Sequence, residues 1–212
     1  LNALNVKPPF REYHLIDLDQ QKVALLRELL GRREEVHIYE GNCNSILLEE
    51  VFPKVQWEDY HRGLCLLDPY GLHLNWKVIQ KAGEMESIEI FLNFPVADIN
   101  RNVLWKNPEG VDAEDIKRMN AFWGDDSWRN IAYKKEEGLF GPIEEKVDNE
   151  TVAEAFRKRL QEVAGFKCVP KPLPMRNSTG TIIYYLFFAS HKPVAQRIVE
   201  HIFSKYQERG LK

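Results

Sequence analysis

The chain has 212 residues, 44% of them hydrophobic and 29% charged, with a formal net charge of −3. These values exclude collagen-like and low-complexity classes and fit one globular domain able to bury a core without staples. The slightly acidic balance offers nucleic acid no global field, so such a partner would need a local basic patch.

The elements follow in chain order. EYHLIDLD (12–19) is an apolar run ending on two carboxylates and predicts a buried strand. QQKVALLRELLGRREE then predicts a helix with Val23, Leu26 and Leu30 on one face and Leu25 and Leu29 beside them, capped by Asp19 and ended by Gly31. VHIYEGNCN (36–44) is a second strand closing on Gly41-Asn42, and SILLEEVFPKV a short helix ending near Pro53. GLCLLDPYG gives a third strand, NWKVIQKAG a helix to Gly83, and SIEIFLNFP (87–95) a fourth strand. Strands alternating with helices through short connections predict an α/β fold with a mostly parallel sheet covered on both faces. Residues 96–148 lose this alternation. They hold three of the five tryptophans (Trp105, Trp123, Trp128) among charges and predict a helical insertion or lid above the sheet. NETVAEAFRKRLQEVAG is an amphipathic helix with Val152, Phe156, Leu160 and Val163 on one stripe. GFKCVPKPLPMRNSTGTIIYYLFFAS predicts a strand, a proline-rich loop and a strand at 181–189, and a closing helix with Pro193 in its first turn completes the chain.

In open α/β sheets, ligands gather outside the carboxyl ends of the strands. That rule selects Asp17 and Asp19, Gly41 and Asn42, Asp68 to Gly71, and Asn93 to Pro95. Asp17 can accept from both ribose hydroxyls of an adenosine-like ligand, or cap the next helix as Asp19 does. Asn42 can read an exocyclic amine through its side-chain carbonyl, or close an Asx-turn. Asp68 and the Pro69 carbonyl can hold a reacting amino group while Tyr70 stacks on a planar ligand, which is catalysis by positioning. The alternative for these residues is a turn into the next helix. His73 after the turn is a candidate general base. Arg101, the tryptophans and Arg176 are candidates to line a substrate lid, the favoured alternative for the tryptophans being packing of a thin insertion. His14 and His37 read as sheet-face histidines. Six histidines without HxH or HExxH spacing give no metal motif, so no metal is expected. Cys43, Cys65 and Cys168 form no Cys-x-x-Cys pair, which points away from a disulfide framework and toward a cytoplasmic location. No apolar run approaches the roughly 18 residues of a membrane span, so no membrane partner is expected.

Taken together, YHLIDLDQQKV, YEGNCN, LCLLDPYGLHLNW, FLNFPVADINRNVLW, FWGDDSW and YYLFFASHKP resemble the three-Cys-motif partner protein family, TcmP. The resemblance spans nearly the whole chain. It implies a Rossmann-like class I methyltransferase fold with an antiparallel C-terminal hairpin, S-adenosylmethionine as cofactor, and a separate three-Cys-motif, radical-SAM-like partner protein. It also implies that Asp17 is the ribose-binding acid and that Asn42 stands where the adenine amine is met. Asp68-Pro69-Tyr70 resembles the Asp-Pro-Pro-Tyr motif of amino-methyltransferases, with one proline absent. The glycine-rich first turn of that fold is missing too, since no two of the twelve glycines form GxG. The resemblance therefore implies an upstream segment carrying the first strand, the centre of a 3-2-1-4-5-7-6 sheet. The start LNALNVKPPF has no signal-peptide pattern and no initiator Met.

The expected function is S-adenosylmethionine-dependent methyl transfer to an amino nitrogen. Two alternatives stand beside it. One is a non-catalytic partner module that binds through the Trp-rich insertion. The other is a nucleic-acid base methyltransferase, which requires Arg101, Arg129, Lys134, Lys135 and Arg176 to line one rim.

Overall fold

The computed structural model describes residues 2–138 and 141–209, the side chains of 135–143 and 209 excepted. The chain divides into two compact units, Leu1–Lys54 and Val55–Lys212.

In the first unit, strand β1 (Tyr13–Asp17) is followed by helix α1 (Gln20–Leu30), strand β2 (Val36–Glu40) and a short helix α2 (Cys43–Ile46) that continues as a π turn over Leu47–Val51. The two strands pair in parallel, Tyr13 opposite Val36 through Asp17 opposite Glu40. Asp19 caps α1 as expected, its side chain accepting from the Gln21 and Lys22 N–H groups, because those first-turn donors have no helical partner of their own. Val23 and Leu30 are buried while Leu25 and Leu29 face outward. Tyr13, Leu30 and Val36 form a small core joined by Leu4, Leu15, Leu26 and Ile38. The expected strand forms, but only Tyr13 of it is buried and the rest of β1 is half-buried.

In the second unit, strand β3 (Gly63–Leu67) leads to helix α3 (Trp76–Met85), strand β4 (Ile88–Phe94) and helix α4 (Val96–Asn102). Helices α5 (Ala113–Trp123) and α6 (Trp128–Ala132) precede strands β5 (Tyr133–Gly138) and β6 (Gly141–Lys146). Helix α7 (Asn149–Glu162), strands β7 (Leu173–Arg176) and β8 (Ile182–Ala189), and helix α8 (Pro193–Arg209) close the chain. The main sheet has the order β3-β4-β8-β7. β3 and β4 run parallel; β8 is antiparallel to both of its neighbours, which gives the expected C-terminal hairpin. The architecture is therefore α/β, but its sheets are small and mixed rather than mostly parallel. Nor are both faces covered: β3 is an edge strand with Leu64 and Leu66 exposed.

The core of this unit is aromatic. Phe156 of α7 lies 4.7 Å from Phe94, 5.7 Å from Phe122, 5.4 Å from Trp123, 5.4 Å from Phe187 and 5.9 Å from Trp76, ring centre to ring centre. Val152 and Leu160 continue the buried stripe, whereas Val163 is exposed because the helix has already ended and Val163 is its C-cap.

Three further departures have physical causes. The insertion is helical only to Ala132; Tyr133–Gly138 and Gly141–Lys146 pair as antiparallel strands, with Lys134 opposite Glu145 and Lys135 opposite Glu144 in the backbone register. Opposite charges across a ladder favour strand pairing in a segment whose composition reads as helical. Gly83 does not stop α3 but lies inside it. A Cβ there would meet the Ala164 carbonyl oxygen at 1.8 Å, so glycine permits close approach, and Glu86 takes the left-handed cap at φ 54°. The strand expected at the start of GFKCVPKPLPMR reduces to a bridge between Cys168 and Ser190, while β7 forms inside the proline-rich stretch. An edge strand tolerates Pro174 because one of its sides needs no donor. Among the described residues no helix is long and apolar enough to cross a membrane.

Candidate functional site

In the first unit the strand ends converge through the backbone. Gly41 has φ 144°, a conformation that favours glycine, and its N–H donates to the Asp17 carbonyl at 3.0 Å. Asp17 and Asn42 thus share the carboxyl end of the β1–β2 pair. Asp17 Oδ1 accepts from the Asp19 N–H at 2.9 Å, and Oδ2 lies 3.9 Å from Lys22 Nζ. An ionised carboxylate has about four acceptor sites, so ribose hydroxyls can still be met. Asp19 acts as the helix cap. Of the two readings of Asn42, the structure shows the Asx-turn. Its Oδ1 accepts from both the Asn44 N–H and Asn44 Nδ2, each at 2.9 Å, so the carbonyl that could read an exocyclic amine serves as a cap.

In the second unit, the ends of β3 and β4 bring Asp68 and Asn93 together, with Asn93 Nδ2 donating to Asp68 Oδ1 at 2.6 Å. This contact joins two residues selected separately in the sequence. It orients the carboxylate and leaves acceptor capacity for an incoming N–H. Gly71 turns with φ 56°, and a Cβ on it would lie 2.7 Å from Asp98 Oδ2, so the turn packs directly on the first turn of α4. Asp98 Oδ1 in turn accepts from Asn102 Nδ2 at 3.0 Å. Asp98 was not among the expected residues; the signal for it was the Asp-x-x-x-Asn spacing after Pro95, which places both side chains on one helical face. Pro95 is the N-cap residue of α4 and makes no side-chain cap bond.

Tyr70 is 90% exposed and stacks on His73 with ring centres 6.3 Å apart and planes at 23°. It forms an open platform rather than a pocket wall. Arg101 lies in the last turn of α4, where its carbonyl accepts from Trp105 Nε1 at 2.7 Å. Arg176 ends β7, at the same end of the sheet as Asp68 but on the opposite edge strand. Three strand spacings separate them, about 14 Å. Its Nη1 donates to the Gly180 carbonyl at 2.8 Å, so it serves the β7–β8 turn and not the Asp68 cluster.

Trp123 and Trp128 are buried and satisfied, Trp123 Nε1 donating to Ser127 Oγ at 3.1 Å and Trp128 Nε1 to Asn120 Oδ1 at 2.7 Å. Packing therefore accounts for them, and only Trp105 of the expected patch is exposed. An open depression of about 1110 Å³ lies elsewhere, lined by residues of α7, β7, β8 and α8 and by none of 68–98. Its basic groups are partly spoken for: Arg157 pairs with Glu154 at 2.7 Å and Lys171 with Glu150 at 2.7 Å. The Lys135 side chain of the expected basic rim lies outside the described residues.

Burial pushes the Cys43 and Cys168 thiols up, away from thiolate chemistry. The first unit also gathers three metal-type donors. Glu12, His14 and His37 each offer one ligand atom, all within 4.8 Å of one another. Burial holds the His14 imidazole below its ordinary value, with His37 and Lys54 acting in the same direction. No histidine motif encodes this cluster; strand register does, because His14 is the cross-strand partner of His37.

No family model and no curated protein matches the chain.

Proposed function

We propose that the protein is an S-adenosylmethionine-dependent methyltransferase of the Rossmann-like class I type, transferring a methyl group to an amino nitrogen. The observation that carries this reading is the Asp68–Asn93 hydrogen bond of 2.6 Å at the carboxyl ends of two parallel strands. A carboxylate oriented this way accepts from the substrate N–H and aims the nitrogen lone pair at the methyl donor. The Pro69 carbonyl supplies a second acceptor, and Tyr70 a stacking surface. Such catalysis is mainly positioning. With β1 counted as the second strand of the order 3-2-1-4-5-7-6 and the β5–β6 hairpin set aside as an insertion, β2-β1 matches 3-2 and β3-β4-β8-β7 matches 4-5-7-6, which supports this fold reading. On this reading Asp17 holds the ribose, and the resemblance supplies the three-Cys-motif protein as partner.

The test is S-adenosylhomocysteine release from S-adenosylmethionine with fractionated cell extract as acceptor source. Wild-type protein is expected to turn over with at least one fraction, and Asp68→Ala to be slower by roughly 100-fold. Equal rates in the two proteins would remove Asp68 from the mechanism.

A second reading, a partner module that keeps the fold without catalysis, is favoured by one observation: the open depression is lined by residues remote in sequence from Asp68 and Tyr70. It predicts no turnover with any fraction and no S-adenosylmethionine binding.

A further inference from the structure

The Glu12, His14 and His37 cluster is used by neither reading. We propose that these three residues form a binding site for a divalent transition metal of the zinc class, bridging β1 and β2. Parallel pairing sets His14 directly opposite His37, and their rings stack with centres 4.9 Å apart. Glu12, one residue before β1, reaches over both: its Oε2 lies 3.5 Å from His14 Nε2 and 3.6 Å from His37 Nε2. Tetrahedral zinc with bonds of roughly 2.0–2.1 Å holds its donors about 3.3 Å apart, so both carboxylate–imidazole spacings are within a few tenths of an ångström of a chelate. Rotation about the soft Cβ–Cγ torsion of each imidazole turns the two Nε2 lone pairs onto one ion.

The surroundings match what a metal site needs. His14 Nδ1 is 3.1 Å from Tyr39 Oη. In the tautomer that donates from Nδ1 to the phenol, Nε2 keeps its lone pair, which is the role second-shell partners play for metal-bound imidazoles. Tyr39 Oη is itself fixed by a hydrogen bond from Lys54 Nζ at 3.2 Å. Two imidazoles and one carboxylate suit zinc, nickel or copper over magnesium or calcium. Three protein ligands leave the remaining coordination position to solvent, since the Glu12 side chain is 45% and the His37 side chain 41% exposed. A two-stranded sheet is marginal alone, and an ion bound across its strands stabilises the folded state by mass action.

The experiment is calorimetric titration of Zn²⁺ into the full-length protein, with thermal unfolding measured in parallel. One ion per chain is expected to bind, with a melting temperature that rises with Zn²⁺ concentration. His14→Ala, His37→Ala and Glu12→Gln are each expected to weaken binding at least tenfold, and Cys43→Ser to leave it unchanged. If an alanine variant loses its circular dichroism spectrum, His37→Gln keeps a polar side chain at that strand position and takes its place. Absence of saturable binding would overturn the site. So would affinity retained in the folded His37 variant, which would place the ion on other residues. S-adenosylmethionine binding is not involved in either readout.

Discussion

His191 shows how one residue links burial to pH. It is 8% exposed and packs 5.2 Å from the Phe166 ring. Burial holds its pKa below the ordinary 6.5, with Lys167 and Lys192 acting in the same direction and Glu86 and a hydrogen bond with the Gly83 backbone opposing them. The unfolded chain therefore binds more protons than the folded one as pH falls below about 6.5, and stability declines through that window. His14 has the same sign. Urea unfolding at pH 7.5 and pH 5.5 should show a stability loss in wild type that is smaller, though not zero, in His191→Leu. An equal loss in both proteins would mean that His191 titrates normally. At this scale the sequence was partly legible. Asp19 was readable as a cap and Asp68 as a strand-end carboxylate, because both depend on neighbours within a few residues. Asn42 was ambiguous between ligand contact and capping, and the structure gives its carbonyl to Asn44. The His14–His37 pairing was invisible, since it depends on register between segments more than 20 residues apart.

At the scale of elements, strands and amphipathic helices were legible from their periodicity. β4 at Ile88–Phe94 and β8 at Ile182–Ala189 lie within a residue of the expected 87–95 and 181–189 at each end. The failures came where tertiary contact overrides local preference. Gly83 reads as a helix stop but permits close packing on Ala164. Gly83→Ala therefore gains about 1 kcal/mol of helix propensity and loses more to overpacking, about 1–3 kcal/mol. Chemical denaturation should show net destabilisation; a more stable variant would show that α3 can move away from Ala164. Phe156 is the centre of the aromatic cluster and is fully buried. Phe156→Ala should cost about 3–5 kcal/mol, read as a lower denaturation midpoint. A cost below 1 kcal/mol would mean that the rings around it collapse into the space.

At the scale of the whole molecule, the α/β class followed from the alternation of segments, while the mixed sheets did not. A buried strand reads alike whether its neighbour runs parallel or antiparallel, as β8 does between β4 and β7. The reading of function rests on strand ends in each unit: Asp17 beside Gly41 in the first, and Asp68 held by Asn93 in the second. The measurement that tests it most directly is calorimetric titration of S-adenosylmethionine into the full-length protein, with Asp17→Ala as its partner. A charge-assisted hydrogen bond contributes about 1.5–3 kcal/mol, so the account predicts saturable one-to-one binding weakened roughly 10- to 100-fold by Asp17→Ala. No binding by folded wild-type protein, or binding indifferent to Asp17→Ala, would contradict it.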